Sequence, residues 1–127
     1  MKKHAAFLLF TSLILAACGN APAPLQPSDP AVPIEVSVGD EFEIVLASNP
    51  STGYSWALVD ELDPGVVAVI SQEYKGEEDA APGSGGMDVW TFEALSAGEA
   101  QIVLGYYPPS NEPTDPQQIL EFTVTVR

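Results

Sequence analysis

Beyond Pro33, apolar and polar positions alternate with a period of two over most of the chain. Ile34, Val36 and Val38 alternate with Glu35 and Ser37, and after a Gly39-Asp40 turn Phe42, Ile44 and Leu46 repeat the pattern. Successive side chains of an extended strand point to opposite faces, so each run predicts a strand with one buried face. Tyr54 to Val59 resumes extended structure up to an Asp63-Pro64-Gly65 turn, and the β-branched run Val66 to Ile70 continues to about Glu73. Lys75 to Gly86 is polar, acidic and glycine-rich and reads as a long loop. In Met87 to Leu95, Val89, Thr91 and Glu93 share one face, but Trp90 and Phe92 break the alternation and leave the buried face open. Ser96-Ala97-Gly98-Glu99 turns the chain, and Ile102 and Leu104 alternate with Gln101 and Val103 in a strand ending near Tyr107. Pro108 to Pro116 is a proline-rich loop. The last run, Ile119 to Val126, sets Leu120, Phe122, Val124 and Val126 against Glu121, Thr123 and Thr125, the cleanest alternation in the chain.

Seven short strands with turn signals between them, and no helical period after the N-terminal apolar run, predict an all-β, immunoglobulin-like sandwich. At 127 residues the chain holds one such domain. In a sandwich of this kind alternate connections gather at one end. The loops around Asn49, Gly83 and Pro108 are therefore expected to form one composite surface.

The N-terminal segment has a different organisation. Lys2 and Lys3 precede an apolar run from Ala5 to Leu15, which is too short to span a bilayer at about 20 residues. Leu15-Ala16-Ala17 then leads into Cys18, an order that resembles the bacterial lipobox, in which the cysteine is lipidated and becomes the mature N-terminus. A plain secretory signal with a leftover cysteine is the rival reading. The expected organisation is a lipoprotein signal peptide over residues 1–17, a lipidated Cys18 with a Pro/Ala-rich tether over 18–33, and a folded domain over 34–127. Pro22, Pro24, Pro27, Pro30 and Pro33 recur at near-regular spacing, which predicts a semi-extended tether that does not pair in a sheet. The expected location is the cell envelope, held to a membrane by lipid. Gly19 in place of aspartate leans toward the outer membrane if the cell has one.

Charge and side-chain inventory narrow the function. Without residues 1–17 only Lys75 and Arg127 stand against 18 carboxylates, a formal charge of −16 that repels phosphate backbones and sets nucleic-acid binding aside. Cys18 is the only cysteine, so no intrachain disulfide forms. His4, the only histidine, lies in the segment that would be removed. A mature chain without histidine lacks the commonest general base and the commonest metal ligand, which argues against hydrolytic or zinc chemistry, and no cofactor is expected.

What remains as candidate chemistry is loop shape. Asn49 precedes proline and is pushed toward extended geometry, Pro50 fixes its own φ, and Gly53 permits a positive φ. This gives a stiff tip that holds Ser51 and Thr52 outward, with Tyr54 and Trp56 on one face of the next strand anchoring its base. An ordinary turn with core aromatics and a binding loop are both compatible with these residues. Gly83-Ser84-Gly85-Gly86 suits close approach to another backbone. A phosphate cradle is disfavoured because no basic residue or helix start follows, and a flexible linker is the plain alternative.

Taken together, Asn49-Pro50-Ser51-Thr52-Gly53-Tyr54 and Gly83-Ser84-Gly85-Gly86 with Trp90-Thr91-Phe92 resemble the chagasin family of cysteine peptidase inhibitors. The family's first loop reads Asn-Pro-Thr-Thr-Gly and then an aromatic, and its second reads Gly-x-Gly-Gly with a Phe further on. Val38-Gly39-Asp40 and Ala94-Leu95-Ser96-Ala97-Gly98 extend the likeness over about residues 34–127. The resemblance implies a monomeric sandwich domain whose three loops enter the cleft of papain-like peptidases and block it reversibly. It puts Ser51 and Thr52 at the catalytic thiol, Gly85 and Gly86 along the cleft wall and Tyr107 on the opposite wall. The family's third loop reads Arg-Pro-Trp, whereas this chain has Tyr107-Pro108-Pro109. The bend is kept but the tryptophan anchor is missing, which predicts weaker binding. A non-inhibitory envelope domain would share the sandwich and the tether. Calcium binding at Glu77-Glu78-Asp79 is a minor rival to simple solvated charge.

Overall fold

The computed structural model describes residues 25–77 and 81–127. The segment read as a signal peptide, Cys18 and the start of the expected tether lie outside the described residues, as do Glu78 and Asp79. Seven strands follow in order: β1 (Ile34–Val36), β2 (Glu41–Ser48), β3 (Ser55–Leu58), β4 (Val67–Gly76), β5 (Gly86–Ala94), β6 (Gly98–Tyr107) and β7 (Gln118–Val126). They form a four-stranded sheet ordered β1-β7-β6-β3 and a three-stranded sheet ordered β2-β5-β4. All pairings between strands are antiparallel except β1 with β7.

The core lies where the alternation put it. Phe42, Ile44 and Leu46 of β2 face Ile102 and Leu104 of β6 and Phe122 and Val124 of β7, all buried in one apolar cluster. Burial of this apolar area is what holds the sheets together, at about 25 cal/mol per Å². The register Phe42↔Phe92 and Ile44↔Trp90 settles β5: its inner face carries Asp88, Trp90, Phe92 and Ala94, with the Phe42 and Phe92 rings stacked at 5.4 Å. Burying the Asp88 carboxylate is offset by hydrogen bonds from Gln72 Nε2 at 2.8 Å and Trp90 Nε1 at 3.2 Å.

Two segments differ from the sequence reading. The loop expected from Lys75 is shorter, because β4 continues to Gly76 in register with β5 to the pair Gly76↔Gly86. β4 is an edge strand whose residues from Val69 onward are exposed, so no alternation marks it, and a register shift between Val69 and Ser71 interrupts its pairing. The second difference is at Leu25, in the stretch read as unable to pair in a sheet. It makes an isolated parallel bridge to Phe42, with its carbonyl accepting from Glu43 N at 2.8 Å. Leu25 and Gln26 are free of proline, so one short contact forms between the prolines that flank them.

Candidate functional site

The connections β2–β3, β4–β5 and β6–β7 all leave the sandwich at one end, as the alternation of strands requires. The first makes the most internal hydrogen bonds among the described residues. Asn49 has φ −136° and ψ 87°, the extended geometry that a following proline imposes, and Pro50–Thr52 then form a single 3₁₀ turn that the sequence reading did not anticipate. Gly53 closes it at φ 81° and donates its N–H to Pro50 O at 2.9 Å. Ser51 Oγ donates to Asn49 Oδ1 at 2.5 Å, and Thr52 Oγ1 donates to Asn49 O at 2.7 Å while accepting from Tyr54 N at 3.4 Å. Both exposed hydroxyls thus bond within the loop itself and define its tip.

Asn49 ties this loop to its neighbours. Its Nδ2 donates to Gly83 O at 3.0 Å, and its backbone N–H donates to Tyr106 Oη at 3.3 Å. Below the loop, Tyr54 and Trp56 share one face as expected. The half-buried Tyr54 ring stacks on Tyr106 at 5.2 Å, and the buried Trp56 ring meets the same Tyr106 at 4.9 Å. Trp56 Nε1 donates to Ala47 O at 3.0 Å. Tyr106 is the residue that sequence reading missed. It sits in the inward alternation of β6 opposite Trp56, a position that reads as ordinary core until the first loop folds over it.

The three glycines of the second loop have different physical reasons. Gly83 has φ 85°, and a Cβ there would meet open space, so conformation alone demands it. Crowding demands glycine at Gly86 and leaves little room for a side chain at Gly85. A Cβ on Gly85 would stand 3.1 Å from Ser48 O, and one on Gly86 would collide with the Lys75 carbonyl and the Tyr74 hydroxyl. Gly86 pairs with both Ser48 and Gly76, so its backbone carries the sheet up to the loop. A groove of about 400 Å³ opens between the first two loops, with Ser48, Asn49, Gly85, Met87 and Tyr106 in its walls.

In the third loop, Tyr107 and Pro108 are half-buried and Pro109 is exposed. The Tyr107 ring lies back over Gly105, where a Cβ would come within 2.8 Å of it, and Gln117 N donates to Tyr106 O at 2.7 Å across the loop's base. The Pro109 ring lies against Gly53, 3.0 Å from where a Cβ would stand. Asn49 through Tyr54, Gly83, Gly85, Gly86, Tyr107 and Pro108 therefore share one pole. Among the described residues no cluster of His, Cys, Asp or Glu stands where it could hold a metal ion.

The family model described as Chagasin family peptidase inhibitor I42 matches residues 35–126. No curated protein matches the chain. Among solved structures the chain is similar to the cysteine protease inhibitor EhICP2 from Entamoeba histolytica, at 25% identity and TM-score 0.66 over 81% of this chain and 92% of that one. It is also similar to amebosin, at 25% identity and TM-score 0.67 over 84% of this chain and 100% of that one. PbICP-C, solved in complex with falcipain-2, shares the fold at 21% identity and TM-score 0.60, over 86% of this chain and 95% of that one.

Proposed function

The chain belongs to the chagasin family of peptidase inhibitors, and from that premise we propose that it inhibits papain-like cysteine peptidases reversibly, by filling their active cleft with its three loops. Membership makes it an inhibitor rather than an enzyme. One observation carries the mechanism: the first loop is already folded and is bonded through Asn49 to both the second loop and Tyr106. A loop with its internal hydrogen bonds made has little conformational entropy left to lose on binding. It lies across the catalytic thiol with Ser51 and Thr52 foremost and presents no extended, cleavable peptide. Gly83, Gly85 and Gly86 let the second loop's main chain run close along one wall of the cleft, and Tyr107 and Pro108 line the other. The recognised partner is a papain-like peptidase, bound by a monomeric domain.

Cys18 carries lipid in this reading, supported by the basic, apolar and small-residue segments that precede it in order, and the protein is held at a cell-envelope membrane. Titrating papain with the mature chain tests the inhibitor function. The expected result is a competitive loss of activity that recovers on dilution, with the inhibitor recovered uncleaved. Full papain activity at saturating protein would instead favour a non-inhibitory envelope domain.

A further inference from the structure

The pole opposite the loops bears on how the domain is held. It is formed by the start of β2, the residue 95–97 connection and the end of β7. Leu25 bridges Phe42, the second residue of β2, and the pairing is parallel. The chain therefore runs from Leu25 to Ser28 toward the loops, starting beside the base. Glu43 N donates to Leu25 O at 2.8 Å and Gln26 Nε2 donates to Glu43 Oε2 at 2.7 Å, which fixes that direction on the outer edge of β2. The carboxyl end of the chain is at the same pole, where Arg127 N donates to Val36 O at 3.0 Å and its guanidinium meets Glu35 at 2.8 Å.

We propose that an anchor at Cys18 holds the domain by its base and directs the three loops away from the bilayer. Its partner is then a soluble peptidase arriving from the bulk phase, not one bound in the same leaflet. This rests on the lipidation and inhibitor readings above. Gly19 to Pro24 is all that separates Cys18 from Leu25, a stretch that reaches about 20 Å when fully extended. From Phe42 to Ser48, β2 rises about 3.3 Å per residue, so the loop pole stands roughly 20 Å farther out than the point of attachment. The acidic surface opposes lying flat on an anionic leaflet, since only Lys75 and Arg127 remain to attract it.

The test couples Cys18 of the mature chain to a maleimide phospholipid in phosphatidylcholine vesicles. A dye is placed through an azide-bearing residue at Ala97, on the base, or at Asn111, in the third loop, and energy transfer to an acceptor on the lipid headgroups is read. Transfer should be several-fold stronger from position 97 than from 111, and vesicle-bound protein should inhibit papain with about the same constant as free protein. Moving the lipid to the other end, with Arg127→Cys in a Cys18→Ser background, should preserve that ordering because both attachments share one pole. Equal or stronger transfer from position 111, or inhibition lost on vesicles but present in solution, would overturn the proposal. If free protein also fails to inhibit papain, the inhibitor reading fails while energy transfer still decides the orientation.

Discussion

The first loop makes five hydrogen bonds within Asn49–Tyr54, whereas the described bonds of the third are Glu112 N to Ser110 Oγ within it and Gln117 N to Tyr106 O across its base. The first has one proline and takes its shape from donors and acceptors. The third has Pro108, Pro109, Pro113 and Pro116 and takes its stiffness from fixed φ angles. Both devices reduce the entropy lost on binding, but they constrain different things. Hydrogen bonds to Gly83 and Tyr106 fix where the first loop stands relative to the rest of the molecule. Prolines stiffen the third locally, and its tip is positioned mainly by Pro109 lying against Gly53. On the proposed mechanism the first loop is expected to supply affinity common to all targets, and the third adjustment between them.

The largest expected effect removes the floor beneath both loops. Trp56→Ala deletes a buried ring that supports Tyr106 and bonds Ala47 O, and should lower stability by about 3–5 kcal/mol in urea titration. Gly53→Val breaks the first loop without touching the core. A β-branched residue at φ 81°, with its Cβ 3.0 Å from the Pro109 ring, should weaken papain inhibition about a hundredfold, roughly 2.7 kcal/mol, while the melting temperature falls far less than in Trp56→Ala. Tyr106→Phe keeps both ring contacts and removes only the acceptor for Asn49 N. It should weaken inhibition by about fivefold, near 1 kcal/mol, with stability little changed. Pro109→Ala is the smallest, a change of about 0.4–1 kcal/mol from loosening the third loop. Its effect should vary among peptidases while that of Tyr106→Phe does not. Equal variation in both across a small peptidase panel would erase the division of labour between the loops.

Much of this was legible in the chain. Phe42-Ile44-Leu46 and Phe122-Val124-Val126 declare their inner faces because each packs on one side only. Asn49-Pro50 and Gly53 declare their backbone geometry because proline and glycine act locally. The β5 face was not legible, since Val89 is buried along with Asp88 and Trp90, and a buried aspartate reverses the usual sign of the pattern. The far half of β4 was hidden because its exposed side chains carry no alternation and its pairing is made through the backbone ladder, with Gln72 to Asp88 as its side-chain link. Tyr106 carried no local signal beyond the inward alternation of β6. Its hydroxyl bonds a residue 57 positions away, so its role appears only when the sheets close and bring Asn49 over it.

The central claim, that the prefolded first loop occupies the peptidase cleft at the catalytic thiol, is tested most directly by alkylation of papain with iodoacetamide in the presence of the inhibitor. The parent chain at saturating concentration should protect the thiol, and Gly53→Val at the same concentration should leave it open to reaction. Alkylation at the free-enzyme rate while the parent chain is bound and activity is blocked would contradict the account, because inhibition would then come from a contact other than this loop.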